Sequence, residues 1–127
     1  MREHKCKALI LDSDPDTLIA LQRTFENGSV DTTITWDNGK ARNLIRSMQF
    51  DVMLIGDPPE ISAENTVRNF RVHGASGPCL ILRTIAQEMT AERLQRLGVV
   101  AVLPKRDPGR IFEEVQGSCG LKTASMD

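Results

Sequence analysis

Short apolar runs alternate along this chain with amphipathic segments, and this alternation restricts the fold more than any other feature. The apolar runs are four to six residues long, and the amphipathic segments between them are about ten residues long. Such a pattern is typical of βα units wound around a parallel sheet. Five units follow one another with no internal repeat, linker or low-complexity tract. The sequence therefore predicts an α/β domain of the (βα)₅ type.

The boundaries of the units follow from capping and turn residues. Asp14 or Asp16 can cap the first helix, Asn27 and Gly28 end it, and Thr90 can cap the fourth. The predicted strands are 8–11, 30–36, 51–55, 79–82 and 99–103, and the helices after the first are 40–48, 62–72, 90–97 and 108–115. We expect residues 1–117 to form one domain and residues 118–127 to form a flexible tail.

Composition excludes several classes of function. The 16 basic and 17 acidic residues nearly cancel, which argues against a nucleic-acid or anionic-membrane partner. The polar N-terminus does not resemble a signal peptide, and no apolar run is long enough to span a bilayer. The three widely spaced cysteines, Cys6, Cys79 and Cys119, predict reduced thiols and a cytoplasmic location, with Cys79 in the core.

Polar residues follow three of the predicted strands at the points where these strands end. Asp12, Ser13 and Asp14 come after the first strand, Asp57 follows the third strand and Gly56, and Lys105 comes after the fifth strand. The carboxyl ends of parallel strands lie at one edge of a sheet, where α/β proteins of this type have their sites. The sequence therefore predicts one crevice that holds an acidic pocket, a lysine and a glycine.

Four segments in this order resemble a response-regulator receiver domain, the phosphoacceptor module of two-component signalling. They are LILDSDP at 9–15, FDVMLIG at 50–56, PCLIL at 78–82 and GVVAVLPK at 98–105, and the resemblance covers roughly residues 7–115. It implies a flavodoxin-like three-layer sandwich with strand order 2-1-3-4-5 and a site between the first and third strands. It also implies a bacterial, cytoplasmic signalling protein.

The family's site transfers a phosphoryl group to an aspartate at the end of the third strand. Mg²⁺, held by acidic residues after the first strand, neutralises the charge on the phosphoryl oxygens. The resemblance places Gly56 at the position of that aspartate, and glycine cannot accept a phosphoryl group. Asp12 matches the first acidic position, whereas Ser13 occupies the second and Asp14 is displaced by one residue.

The remaining positions of the family's site match in part. Lys105 matches the phosphate-contacting lysine, whereas Arg83 falls where the family has a hydroxyl, with Thr84 one residue later. Val102 occupies the position of the usual aromatic switch residue. These departures predict a degenerate receiver, which is not an enzyme, needs no cofactor and acts by binding other proteins.

The main alternative is a working receiver. A one-residue bulge in the third strand would turn Asp57 into the crevice, where it would accept phosphate with Mg²⁺ held by Asp12 and with Lys105 and Thr84 as phosphate contacts. Without a bulge, a shift of one residue aims Asp57 away. A small-ligand site is a third option, but the acidic first loop lacks the glycines that cradle a phosphate.

Alternatives also remain for single residues in and near the crevice. Arg83 either pairs with Asp12 or Asp57 in place of a cation, or bends into solvent. Lys105 either pairs with Asp12 or is solvated. Trp36 either marks a contact surface or, as is commoner, is partly buried against the second helix.

The resemblance also implies an interaction surface, formed by the fourth helix, the fifth strand and the fifth helix. Its outward residues are predicted to be Ala91, Arg93, Arg96 and Asp107. The expected partner is a histidine kinase, another regulator or a second copy of the chain. We expect the remaining polar residues of the third helix, Thr66, Arg68 and Arg71, to form a solvated face.

Overall fold

The computed structural model describes residues 6–28, 30–56, 62–83 and 91–119, except for the side chain of Ala91. Strands and helices alternate along these residues, as the sequence predicts. They are β1 (Lys7–Leu11), α1 (Pro15–Asn27), β2 (Asp31–Thr35), α2 (Asn38–Ser47), β3 (Val52–Ile55), α3 (Ala63–Val72), β4 (Cys79–Arg83), α4 (Ala91–Leu97), β5 (Val99–Pro104) and α5 (Pro108–Cys119).

The strands form a parallel sheet in the order β2-β1-β3-β4-β5, which confirms the predicted flavodoxin-like topology. Successive residues of a strand face opposite sides of a sheet. In β1, Ala8 and Ile10 accordingly pack with α1 and α5, whereas Leu9 and Leu11 pack with α2 and α3. Two apolar cores therefore lie on the two faces of the sheet and complete the three layers.

Local capping explains where α1 and α3 begin. The Asp14 carboxylate accepts a hydrogen bond from the Asp16 backbone N–H at 3.1 Å, and the Ser62 hydroxyl accepts one from the Asn65 N–H at 3.2 Å. These bonds satisfy donors that the first turn of a helix leaves unpaired. Thr90, the predicted cap of α4, lies outside the described residues. No helix in the described ranges is long and apolar enough to cross a membrane.

One irregularity in the sheet lies between β4 and β5. Cys79 is opposite Val99 and Leu80 is opposite Ala101, so Val100 is an extra residue in β5. Its side chain is 53% exposed at the edge of the sheet. In the described part of β3, by contrast, the pairing with β1 and β4 is regular. The bulge considered for the third strand is therefore absent from Val52–Ile55.

The last helix is longer than predicted. It continues to Cys119, past the predicted end at Val115 and past the proposed domain boundary at residue 117. Cys119 is joined to Cys6 by a disulfide, with their Cα atoms 5.9 Å apart. The expectation of reduced thiols is thus wrong for this pair, because the fold brings the end of α5 beside the start of β1. Cys79 is a free, buried thiol, as predicted.

The prediction of a solvated face on α3 is wrong for two of its three residues. Thr66 is buried and its hydroxyl donates to the Ser62 carbonyl at 2.9 Å, while Arg68 is exposed as expected. Arg71 is half-buried and donates to carbonyls at the end of α4 and in the loop that follows α3. Its acceptors are the carbonyl oxygens of Leu97, Gly98, Ala75 and Gly77, at 3.1, 3.2, 3.2 and 2.6 Å.

Trp36 follows β2 and is more exposed than partial burial against α2 would allow. Its side chain is 63% exposed, and the Lys40 ammonium group lies over the ring, 5.9 Å from its centroid. Lys40 belongs to α2, so the helix covers the indole with a charged side chain instead of with apolar ones. The expectation of partial burial is therefore wrong, and the alternative of a contact surface stays a prediction.

Candidate functional site

Asp12 is the one charged residue among those described that is fully buried. It follows β1 directly, and its backbone N–H donates to the Thr35 carbonyl at 3.2 Å, which extends the pairing with β2 by one residue. One carboxylate oxygen, Oδ1, accepts a hydrogen bond from the Asp14 N–H at 2.8 Å. The backbone thus fixes Asp12 at the carboxyl edge of the sheet with its carboxylate pointing into the protein.

Lys105 neutralises this buried carboxylate. Its ammonium nitrogen Nζ lies 2.7 Å from Asp12 Oδ2, and the side chains are 9% and 0% exposed, respectively. A buried charge is tolerated when it is paired and hydrogen-bonded, and both oxygens of Asp12 are engaged here. The structure therefore confirms the predicted pairing of Lys105 with Asp12 over solvation of the lysine.

Gly56 lies next to Asp12 on the neighbouring strand end. Its N–H donates to the Leu11 carbonyl at 2.7 Å, which continues the β1–β3 ladder by one step. A Cβ atom added at Gly56 would lie 2.6 Å from Asp12 Cγ and 3.1 Å from Asp12 Cβ, and closer still to Oδ2. Real Cβ atoms do not approach other heavy atoms this closely. The Asp12 carboxylate therefore occupies the space that a side chain at position 56 would need.

Strand periodicity explains why these three residues meet. Ile10, Leu54 and Leu103 all face the core formed with α1 and α5. Asp12, Gly56 and Lys105 each come two residues later on the same strands, and the period of two gives them the same facing direction. The structure therefore brings together the acidic residue, the glycine and the lysine that the sequence placed in one crevice.

The other members of the predicted acidic pocket are more exposed than Asp12. Ser13 and Asp14 are both exposed, and the Asp14 carboxylate caps α1. A hydrogen bond from the Thr17 hydroxyl, at 2.9 Å, is the main reason why the pKa of Asp14 is lowered, and the bond from the Asp16 N–H adds to it. The place of Ser13 and Asp14 in the acidic pocket stays a prediction, and the contact that the structure gives the Asp14 carboxylate is the cap of α1.

The predicted phosphate-contact and switch positions divide between the two faces of the sheet. Arg83 ends β4 and is half-buried, and its carbonyl accepts a hydrogen bond from the Lys105 N–H at 3.0 Å. Val102 is half-buried and packs on the opposite face from Lys105, with the core formed by α2 and α3. Thr84 and Asp57 lie outside the described residues.

The described residues of the crevice do not fit a Mg²⁺ ion. Mg²⁺ needs near-octahedral oxygen ligands and usually takes one or two carboxylates. Here Asp12 is the only buried carboxylate in the described part of the crevice, and it already binds the Lys105 ammonium and the Asp14 N–H. The described ranges also hold no group of three or more His, Cys, Asp or Glu side chains suited to a metal. Lys105 therefore stands in the position of a counter-ion to Asp12.

A separate concavity lies near the amino-terminal end of β3, away from the crevice, and contains none of the predicted site residues. It is lined by residues at the ends of α2 and α3 and the start of β3, including Met48, Asp51 and His73. The Asp51 carboxylate accepts a hydrogen bond from the Lys7 N–H at 2.8 Å, and the His73 ring bonds the Asn69 carbonyl at 2.8 Å. These polar groups hold the strand and helix ends in place.

The chain is similar to known proteins in its structure but not in its sequence. Neither a protein-family model nor a curated protein sequence matches it. A receiver domain protein (CheY-like) from Methanospirillum hungatei superposes with a TM-score of 0.81 at 15% identity, covering 95% of this chain and 98% of the other. The receiver domain of the Francisella response regulator 1452 gives 0.80 at 21% identity, with coverages of 93% and 99%.

The chemotaxis regulator CheY4 of Vibrio cholerae is similar in the same way. Its TM-score is 0.78 at 18% identity, and the superposition covers 91% of this chain and 99% of the other. Each of these structures is matched over nearly its whole length. The chain therefore has the CheY-like, flavodoxin-like fold of response-regulator receiver domains.

Proposed function

We propose that this chain is a receiver-like signalling module of a two-component system that does not accept phosphate at position 56. It acts by binding other proteins, is not an enzyme, needs no cofactor, and works in the bacterial cytoplasm. The observation that carries this proposal is the placement of the Asp12 carboxylate, which fills the space beside Gly56 and pairs with Lys105.

Phosphoryl transfer to the strand end requires a carboxylate nucleophile and free positive charge around the incoming phosphoryl oxygens. Glycine at position 56 supplies no nucleophile. The Lys105 ammonium group, at 2.7 Å from Asp12, is already neutralised inside the protein. A phosphoryl group would have to displace this buried pair before it could use the lysine. Both requirements thus argue against phosphate uptake at this position.

The α4–β5–α5 face supports a role in protein binding. Arg93, Arg96 and Asp107 are exposed, as predicted for an interaction surface. Arg93 also forms an ion pair with Glu64 of α3 at 3.1 Å, and the Asp107 carboxylate accepts a hydrogen bond from the Arg110 N–H at 3.1 Å. Beside them, the Val100 side chain is exposed on the edge strand.

This face thus carries one exposed apolar side chain beside exposed charged ones, and both kinds of side chain occur in protein interfaces. The partners that fit it best are a histidine kinase, another regulator or a second copy of the chain. Light scattering over a range of protein concentrations tests whether the partner is a second copy of the chain. Val100→Glu is the variant that should disrupt such self-association.

Intact-mass spectrometry after incubation with acetyl phosphate and Mg²⁺ tests the proposal. An ordinary receiver treated in parallel serves as the positive control, and Asp57→Ala is the matched variant. We expect no mass gain for the wild-type chain under conditions that label the ordinary receiver. A gain of one phosphoryl group that disappears in Asp57→Ala would overturn the proposal and make Asp57 the acceptor of a working receiver.

A further inference from the structure

The disulfide between Cys6 and Cys119 links the two ends of the described chain. Cys6 immediately precedes β1 and is 1% exposed, and Cys119 is the last residue of α5 and is half-buried. Their Cα atoms are 5.9 Å apart, which is a usual separation for disulfide-bonded cysteines, and 113 positions separate them in sequence. The bond thus fixes the end of the last helix to the start of β1, an inner strand of the sheet.

The helix turn that carries Cys119 is weak without this bond. Gly117 and Ser118 are poor helix formers, and glycine costs about 1 kcal/mol relative to alanine inside a helix. The last turn holds no basic residue to interact with the C-terminal end of the helix dipole. Val115 is the last fully buried side chain of α5. Covalent attachment to Cys6 is therefore the main restraint on residues 116–119.

We propose that Cys6 and Cys119 form a reversible thiol–disulfide site that exchanges with small cellular thiols of the glutathione class. Its oxidation state sets whether the last turn of α5 is ordered. In reducing compartments protein disulfides are usually transient and redox-sensing, so a pair of this kind suits a signalling module. The inference stands on the two cysteines alone and does not depend on the absence of phosphate uptake.

The exchange follows ordinary disulfide chemistry. A glutathione thiolate attacks the sulfur of Cys119, which is the more exposed of the two, and the S–S bond breaks. Cys6 leaves as a thiolate and takes a proton from water. A second glutathione thiolate then attacks the glutathione sulfur of the mixed disulfide, releasing glutathione disulfide and the Cys119 thiolate, which is protonated in turn. Two electrons and two protons thus reduce the bond, and glutathione disulfide reverses it.

Cys79 takes no part in this exchange. Its thiol is buried in the core formed with α2 and α3, on the opposite face of the sheet from Cys6. Burial raises the pKa of Cys79 to about 11, so the reactive thiolate is scarce at neutral pH. Cys79 is therefore an internal reference thiol that reacts only when the protein unfolds.

Counting free thiols in glutathione buffers tests the site. The folded protein is equilibrated at a series of glutathione-to-glutathione-disulfide ratios, quenched with acid, denatured and alkylated, and the adducts are counted by mass. We expect one adduct, on Cys79, in oxidising buffers and three in reducing buffers, with the same midpoint from both directions. Three adducts at every ratio would overturn the proposal, and so would a bond that is reduced only after denaturation.

Variants that replace one cysteine at a time test which sulfur is attacked. In Cys6→Ser the remaining Cys119 should accumulate a glutathione adduct in oxidising buffer, whereas the buried Cys6 of Cys119→Ser should remain unmodified. Cys79→Ser is the control and should leave the midpoint unchanged while removing one adduct from each count. A glutathione adduct on Cys6 but not on Cys119 would contradict the proposed order of attack.

Hydrogen exchange tests the structural consequence. We expect the amides of residues 116–119 to exchange about tenfold faster or more in the reduced protein, with the inner strand β1 unchanged, since a frayed helix end opens locally. Equal exchange rates in the two redox states would show that the bond does not control the order of α5, and would overturn that part of the proposal.

Discussion

The Lys105 ammonium nitrogen lies 2.7 Å from Asp12 Oδ2, inside the protein and directly beside Gly56. The pair lies where β1 and β5 end at the carboxyl edge of the sheet. The lysine is paired within the chain, and the carboxylate occupies the space that a side chain at position 56 would need. We therefore expect changes at these three positions to have coupled effects on stability.

Removing the lysine should leave an uncompensated buried carboxylate. We expect Lys105→Met to lower the free energy of unfolding by about 3–5 kcal/mol, the usual effect of breaking a buried ion pair from one side. Urea denaturation measures this loss. Lys40→Met is the matched control because Lys40 is exposed, and it should change stability by no more than about 0.5 kcal/mol.

The double variant Asp12→Asn/Lys105→Met separates pairing from packing. Its loss of unfolding free energy should be smaller than the sum of the losses in the two single variants. The reason is that the double variant leaves no charge buried without its partner, whereas each single variant does. Additive losses would show that the two charges do not interact and would contradict the structure at this point.

A side chain at position 56 should collide with Asp12. We expect Gly56→Ala to destabilise the fold by about 1–3 kcal/mol, the range for overpacking a filled site. In an Asp12→Ala background most of this cost should disappear, because the conflicting carboxylate is gone. Unfolding free energies of the two singles and the double, measured in urea, give the coupling between the positions.

Gly109→Ala is the control for this series. A Cβ atom at Gly109 would meet Asp107 Oδ1 at 3.8 Å, an ordinary contact, and the residue is exposed in the first turn of α5. Alanine there should be neutral or slightly stabilising because it removes the flexibility of glycine. If Gly56→Ala behaved like Gly109→Ala, the space beside Asp12 would have to be open.

The sequence predicted the sheet and its crevice because both follow from local periodicity. Each strand is a short apolar run, and the period of two fixes which residues face which core, so the meeting of Asp12, Gly56 and Lys105 followed once the strands were aligned. The strand order came from the resemblance of four segments to receiver domains, and the structure confirms it.

Features that depend on packing between distant segments could not be predicted in the same way. The disulfide requires the end of α5 to lie beside Cys6, and an odd number of widely spaced cysteines gives no sign of it. Arg71 was predicted to be solvated because its position on α3 shows only helix periodicity. The carbonyl groups that it binds belong to a turn and to the end of α4, and only the folded chain brings them together.

Arg71 should contribute to stability through these backbone carbonyls. We expect Arg71→Met to lower the free energy of unfolding by about 2 kcal/mol. A hydrogen bond from a charged group is worth about 1.5–3 kcal/mol, and water can replace some of the four hydrogen bonds that Arg71 makes. Thermal and urea denaturation measure the change.

Arg68→Met is the matched control for Arg71→Met. Arg68 is exposed and bonds only the Asn65 side chain among the contacts described, at 3.0 Å, so its loss should cost at most about 0.5 kcal/mol. Equal losses for the two variants would mean that the carbonyl contacts of Arg71 contribute nothing beyond a surface arginine.

Cys79 should make the stability of the fold depend on pH in alkaline solution. Burial raises its pKa from 9.0 to about 11, so between these values the folded protein keeps a proton that the unfolded chain loses. Stability should therefore fall as the pH rises through this window, with a limiting slope of about 1.4 kcal/mol per pH unit for this one group, and it should be unaffected by Cys79 below pH 9.

Urea denaturation at several pH values measures the slope. Cys79→Ala is the control, with both proteins in a Cys6→Ser/Cys119→Ser background to prevent disulfide exchange. Parallel pH profiles for the two proteins would show that the thiol titrates equally in the folded and unfolded states and would contradict its burial in the core between β4 and the helices α2 and α3.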